Sequence, residues 1–217
     1  MSAEHLAGQI SAGIEALGQD PRQHPVDLYV SYLQLLTQWN RAYNLTGIRD
    51  HGKMVTHHIL DSLAVLPYLR GDRALDVGTG AGLPGLILAM ARPDQHWVLL
   101  DSTRKKIRFV NQAVLELKLT NVKTECVRVE QYMPEKLFIT IVTRAFGALD
   151  KFYTGTRRLL AAEGVLLAMK GGNVVSEIEA LQKLRETPGF VRVHLLDMPG
   201  AETGRCVVEM GPSDNFG

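Results

Sequence analysis

With 217 residues, 46% of them hydrophobic, the chain can bury one sizeable core, and its ordinary charged fraction excludes long disordered tracts. A formal net charge of +1 excludes a globally basic nucleic-acid binder and leaves room only for a local patch. The two cysteines, Cys126 and Cys206, lack metal-ligand spacing. The start of the chain lacks a signal-peptide pattern, and no apolar run is long enough to span a bilayer, so a cytoplasmic protein is expected.

The first 70 residues are expected to form a helical extension. Val26, Tyr29, Val30, Leu33, Leu36 and Trp39 recur at helical spacing, and Pro25 suits the first turn of that helix. The stretch VTHHILDSLAVLPYL, residues 55–69, reads as another helix, limited by Pro67. His57 and His58 are adjacent on it and project about 100° apart, so they cannot easily share a metal ion, and no metal site is expected. Asp61 lies one turn after His57, where it could fix the imidazole tautomer.

From Arg73 the pattern alternates. RALDV, HWVLLD, NVKTECVRV, FITIVTR and GVLLAMK read as strands, separated by the helical stretches LPGLILAMARP, TRKKIRFVNQAVLELKL and ALDKFYTGTRRLLA. A further helix, VVSEIEALQKLRET, precedes two closely spaced strands, FVRVHLLDM and RCVVEM. The expected fold is α/β: a doubly wound, mostly parallel Rossmann-like sheet over residues 71–217, with an antiparallel C-terminal edge hairpin.

The segment LDVGTGAGLPG, residues 75–85, closes the first strand, where such sheets bind ligands. Gly78, Gly80 and Gly82, with Thr79 between them, let backbone pass close to a ligand. Asp76 is the discriminating residue. A carboxylate repels a pyrophosphate but favours an ammonium group, which points to S-adenosylmethionine rather than a dinucleotide. Asp101 ends the second strand, 25 residues later, with Ser102 beside it, where an acid can accept hydrogen bonds from ribose hydroxyls. Val129 and Glu130, expected at the end of the third strand, could cover the adenine face and meet its edge.

DVGTGAGLPG, the upstream WNRAYNLTGI and HHILDSL, and TRA at the fourth strand together resemble the bacterial small-subunit ribosomal RNA guanine-N7 methyltransferases, also called glucose-inhibited division protein B. The resemblance runs from about Trp39 to Gly204. It implies a class I methyltransferase domain, S-adenosylmethionine as cofactor, and 16S ribosomal RNA or the small subunit as partner. Carried over by position, it adds Leu83 and Arg144 to the cofactor contacts at Gly78, Val129 and Glu130. The chain departs from the family's usual fourth strand by having Ile139 in place of an acid and Thr143 in place of a serine.

Guanine N7 carries an in-plane lone pair and needs no general base, only in-line approach to an activated methyl. A nucleophilic cysteine is not required, and Cys126 and Cys206 are expected in the core. Arg144 is expected to position substrate or cofactor rather than touch N7, where positive charge develops. Arg104, Lys105, Lys106, Arg108 and Lys170 are the candidate RNA contacts, to which Lys53, Arg157 and Arg158 could add. Gly171 and Gly172 allow close backbone approach, and Phe146 or Tyr153 could stack on a base. The alternative is a methyltransferase acting on a small molecule or a protein.

Overall fold

The structure is a computed structural model, and it describes residues 2–144, 146–198, 200 and 204–212. Its centre is one seven-stranded sheet of order β3-β2-β1-β4-β5-β7-β6. β1 (Arg73–Val77) lies between β2 (His96–Leu100) and β4 (Phe138–Arg144), parallel to both. β3 (Val122–Glu125) extends the sheet beyond β2, and β5 (Leu160–Gly171) extends it beyond β4. The closing pair is antiparallel, as expected, with β7 (Arg205–Gly211) inserted between β5 and the edge strand β6 (Phe190–Leu195). The strand order reverses between β1 and β4, so the loops leaving those two strands splay apart and open a crevice.

Alternation along β1 explains its position. Ala74 faces one buried cluster while Leu75 and Val77 face the other, as the two-residue period of a strand requires. On the first face lie α5 (Gly85–Ala91), α6 (Arg104–Glu116) and the N-terminal helices. On the second lie α7 (Leu149–Thr156) and α8 (Val175–Gln182). The N-terminal helices are not a separate globule. Leu6, Ile10 and Ile14 of α1 (Ala3–Ala16) and Leu33 and Leu36 of α2 (Val26–Tyr43) share one buried cluster with Trp97 and Phe109. No helix among the described residues is long and apolar enough to cross a membrane.

The helix expected over 55–69 is present, but it is not uniform. The run starts earlier, as α3 (His51–Met54) capped by Asp50, whose Oδ1 accepts from the Lys53 N–H at 2.8 Å. It widens into a π turn over Val55–Leu60, then closes as α4 (Asp61–Leu63), with a 3-10 turn at Leu66–Tyr68. A π turn inserts an extra residue and reorients the side chains and carbonyls around it, a distortion common at functional sites. Pro25 precedes the first turn of α2 rather than lying within it. The third strand is shorter than expected: it stops at Glu125, and Val129–Gln131 form a 3-10 turn. Cys126, just past that strand end, is exposed, which corrects the expectation of a core residue, whereas Cys206 in β7 is buried.

Phe109 joins the two halves of the first-face core, with its ring 5.7 Å from Trp39 and 6.3 Å from Tyr32. Phe109→Ala is expected to lower stability by about 3–5 kcal/mol. Urea unfolding followed by fluorescence checks this, because Trp39 reports α2 and Trp97 reports the sheet. One shared transition is expected; two separated transitions would show that the N-terminal helices fold independently.

Candidate cofactor and substrate site

The glycine loop after β1 is built around a buried carboxylate. Asp76 is fully buried, and its Oδ2 accepts from the Thr79 hydroxyl at 2.6 Å and the Gly85 N–H at 2.9 Å. The chain therefore curls around its own acid. Gly78, Gly80 and Gly82 take φ values of 73°, 60° and 82°, the left-handed region that side chains avoid. At Gly85 the need is for space: a Cβ there would lie 2.6 Å from Asp76 Oδ2. From the other side, the buried Tyr32 of α2 donates its hydroxyl to the Ala81 carbonyl at 2.7 Å. Burial pushes the Asp76 carboxyl up to about 6, against the Thr79 and Gly85 hydrogen bonds that favour the ion. Its second oxygen, Oδ1, is buried with no hydrogen-bond partner.

Beside this loop is a cavity of ≈ 360 Å³. Gly78, Asp101, Ser102, Val129 and Glu130, all singled out from the sequence, line it together. Asp101 is organised by its surroundings: Oδ2 accepts from the Gly80 N–H at 3.1 Å and from Lys106 Nζ at 3.3 Å, and Oδ1 accepts from the Thr103 N–H at 2.9 Å. Val129 and Glu130 reach the wall from their 3-10 turn rather than from a strand end. That turn is braced by Arg158, which donates to the Val129 and Tyr132 carbonyls at 2.6 and 2.8 Å. Asp76, Thr79, Gly80, Gly82, Leu83 and Arg144 are not among the lining residues. The first four shape the loop, and Leu83 is buried in the core. Sequence reasoning missed Thr103 and Arg128 in the wall. It considered Phe146 only for base stacking; Phe146 lines the cavity, while Tyr153 is buried in the second-face core.

Arg144, at the end of β4, meets the N-terminal helices. Its Nη1 donates to the His57 carbonyl at 2.7 Å and lies 3.4 Å from Asp61 Oδ2. Arg205, from the start of β7, lies 3.6 Å from the other oxygen of Asp61 and 3.3 Å from His57 Nδ1. The buried Asp61 thus serves two arginines instead of fixing the His57 tautomer, and Arg205 is the group that meets that ring. Two guanidinium groups against one carboxylate leave the cluster positive. No local signal marks Arg205, because its partners are 144 and 148 residues away in sequence. His58 turns inward, its Nε2 3.1 Å from Thr46 Oγ1, and burial pushes its pKa down to about 4. Among the described residues no group of three His, Cys, Asp or Glu side chains is gathered as for a metal ion.

The candidate RNA contacts divide. Arg104, Lys105 and Arg108 are exposed on α6. Lys106 instead turns to Asp101 in the cavity wall. Lys170 is held by Glu177 Oε2 at 2.7 Å and by the Gly147 carbonyl. Arg157 is paired with Glu186, and Lys53 is exposed.

The family model described as rRNA small subunit methyltransferase G matches residues 26–203. The chain belongs to this family. A ribosomal RNA small subunit methyltransferase G from Hahella chejuensis is 41% identical over 209 residues, covering 96% of this chain and 95% of the relative. One from Psychromonas ingrahamii is 46% identical over 181 residues, covering 83% and 86%. Among solved structures, the DhpI–SAH complex aligns with a TM-score of 0.55 at 13% identity, covering 85% of this chain and 95% of that one. A precorrin-6y C5,15-methyltransferase from Geobacter metallireducens aligns with a TM-score of 0.53 at 13% identity, covering 70% and 86%. At such identity the two structures establish a shared Rossmann-like fold and nothing more.

The Asp76 carboxyl holds its proton to higher pH in the folded protein than in the unfolded chain. Its contribution to stability is therefore fully favourable below about pH 4 and is lost as pH rises from about 4 to about 6. Relative to Asp76→Asn, the wild type is expected to lose on the order of 3 kcal/mol of unfolding free energy across that window. Urea titrations at several pH values measure the difference; a difference that stays flat contradicts the shift.

Proposed function

We propose that this chain binds S-adenosylmethionine in the cavity beside Asp101 and transfers its methyl group to N7 of a guanine in 16S ribosomal RNA. The observation that carries the cofactor assignment is the meeting of Gly78, Asp101, Val129 and Glu130 in one cavity beside a glycine loop closed on Asp76. The residues present fit the group. Asp101 supplies a carboxylate suited to the ribose hydroxyls, Val129 an apolar face for adenine, and Glu130 a polar edge. Asp76 lies beneath the loop and outside the cavity wall, so it serves the ligand by holding the glycine backbone in place.

The bound cofactor supplies an electrophilic methyl on a sulfonium. The protein then needs to orient a guanine lone pair and to exclude water, with no proton to remove. Phe146, half-buried at the cavity wall, is suited to covering the site or stacking on the incoming base. Arg144 carries a charge that would oppose the positive ring of the product. Its ties to Asp61 and the His57 carbonyl hold that charge in place, for a role toward an acceptor oxygen or a phosphate. The family relationship and the exposed cations Arg104, Lys105 and Arg108 favour RNA. The near-neutral net charge is the feature that favours a small-molecule or protein substrate instead.

Transfer of labelled methyl to 16S ribosomal RNA from cells lacking the protein, followed by mapping of the modified base, tests the function. Label on a guanine N7 is expected; label on protein or small molecules alone contradicts it. Calorimetry with S-adenosylhomocysteine tests the site: Asp101→Ala is expected to weaken binding by about tenfold or more, and unchanged affinity would refute the ribose assignment.

A further inference from the structure

The NLTGI stretch, residues 44–48, contributes nothing to the wall of the cavity beside Asp101. It is the pinned part of a different feature. Asn44 ends α2 with φ 48°. The buried Asn40 side chain clamps Thr46 at both backbone groups, donating to its carbonyl at 2.9 Å and accepting from its N–H at 2.9 Å. Thr46 Oγ1 accepts from the Ile48 N–H at 3.1 Å and meets His58 Nε2 at 3.1 Å. A loop fixed at this many points holds its far end in place without a core of its own.

That far end carries Arg49. It lines a cavity of ≈ 300 Å³ together with Thr37, Asn40, Arg41, His51 and Met54. The wall contains two arginines and a histidine, and no carboxylate. Arg41 and Arg49 are exposed, and neither has a carboxylate partner among the described residues; Arg49 reaches only the Asn44 amide oxygen, at 3.5 Å. Asp50, the adjacent acid, is occupied in capping α3. His51 Nε2 lies 3.3 Å from the Thr37 hydroxyl, so polar groups continue into the cavity. Exposed arginine forks without a carboxylate partner, at the edge of a concavity, match a phosphate in charge and geometry.

The location connects this cavity to the reacting centre. His51 opens the helical run that leads to His57, six residues on and about 9 Å along the axis. The His57 carbonyl accepts from Arg144, at the strand end that borders the crevice. We infer that the Arg41–Arg49–His51 cavity seats a backbone phosphate of the substrate RNA, beside the nucleotide that is methylated. The inference rests on the RNA reading above and deepens it: the N-terminal helices grip the strand while the sheet holds the cofactor.

The test is the double variant Arg41→Gln/Arg49→Gln in the full chain. Anisotropy with a labelled ribosomal RNA fragment is expected to show about tenfold weaker binding, with the slope of log affinity against log salt reduced by about 1 to 2. S-adenosylhomocysteine affinity and thermal midpoint are expected to stay at wild-type values, which separates a lost phosphate contact from misfolding. RNA affinity and salt slope equal to wild type would overturn the proposal. If the wild type transfers no methyl to ribosomal RNA, the functional reading has failed on its own, and inorganic phosphate judges the cavity. Amide shifts confined to residues 37–54 in the wild type and lost in the double variant support the subsite; no such shifts overturn it.

Discussion

A carboxylate buried under its own backbone sets the geometry of this site. Asp76 has no access to water, yet it accepts hydrogen bonds from Thr79 and Gly85, on either side of Gly80 and Gly82. Burying such a group is unfavourable unless donors converge on it, and the raised pKa is the signature of that penalty. The convergence forces the loop into left-handed turns and excludes a side chain at Gly85. It also carries the Gly80 amide to Asp101, so the loop and the end of β2 are positioned by one arrangement. The cavity lies beside it: Gly78 contributes the loop's edge, and the other walls are the segments at the ends of β2, β3 and β4.

The N-terminal helices complete this arrangement. Tyr32 reaches across to the loop carbonyl of Ala81, and Phe109 stacks the sheet-side helix α6 against α2. A second chain of contacts runs from Thr46 to His58, and from His57 to Arg144 and Arg205, with Asp61 balancing part of the charge. The π turn at Val55–Leu60 lies in the middle of that chain. Its position accounts for one helix presenting His58 to the NLTGI loop and the neighbouring His57 carbonyl to Arg144.

The alternation of strands and helices, the place of the glycine loop, and the grouping of Asp101 with Val129 and Glu130 were all legible in the sequence. Each depends on local periodicity or on a fixed place within a βα unit. The direction of Asp76 was harder. A strand end is expected to offer its side chain to a ligand, but the two-residue alternation of β1 turns Asp76 away from the face of Leu75 and Val77 and under its own loop. Lys106 and Lys170 looked like members of a basic group, because composition cannot show that Asp101 and Glu177 already engage them. Arg205 was invisible for a different reason: its role arises only when β7 is threaded beside β5 and brought against Asp61. Cys126 lies outside the core because β3 stops one residue before it, and strand ends are where periodicity is least informative.

The central claim is that this loop and cavity accept an amino-acid nucleoside and reject a dinucleotide. Crystals grown with S-adenosylhomocysteine, and separately with NAD, test it most directly. The account predicts density for the homocysteine ligand with its ribose at Asp101 and its amino-acid end toward the glycine loop, and none for NAD. Density for the dinucleotide along that loop, with S-adenosylhomocysteine absent from it, would contradict the account.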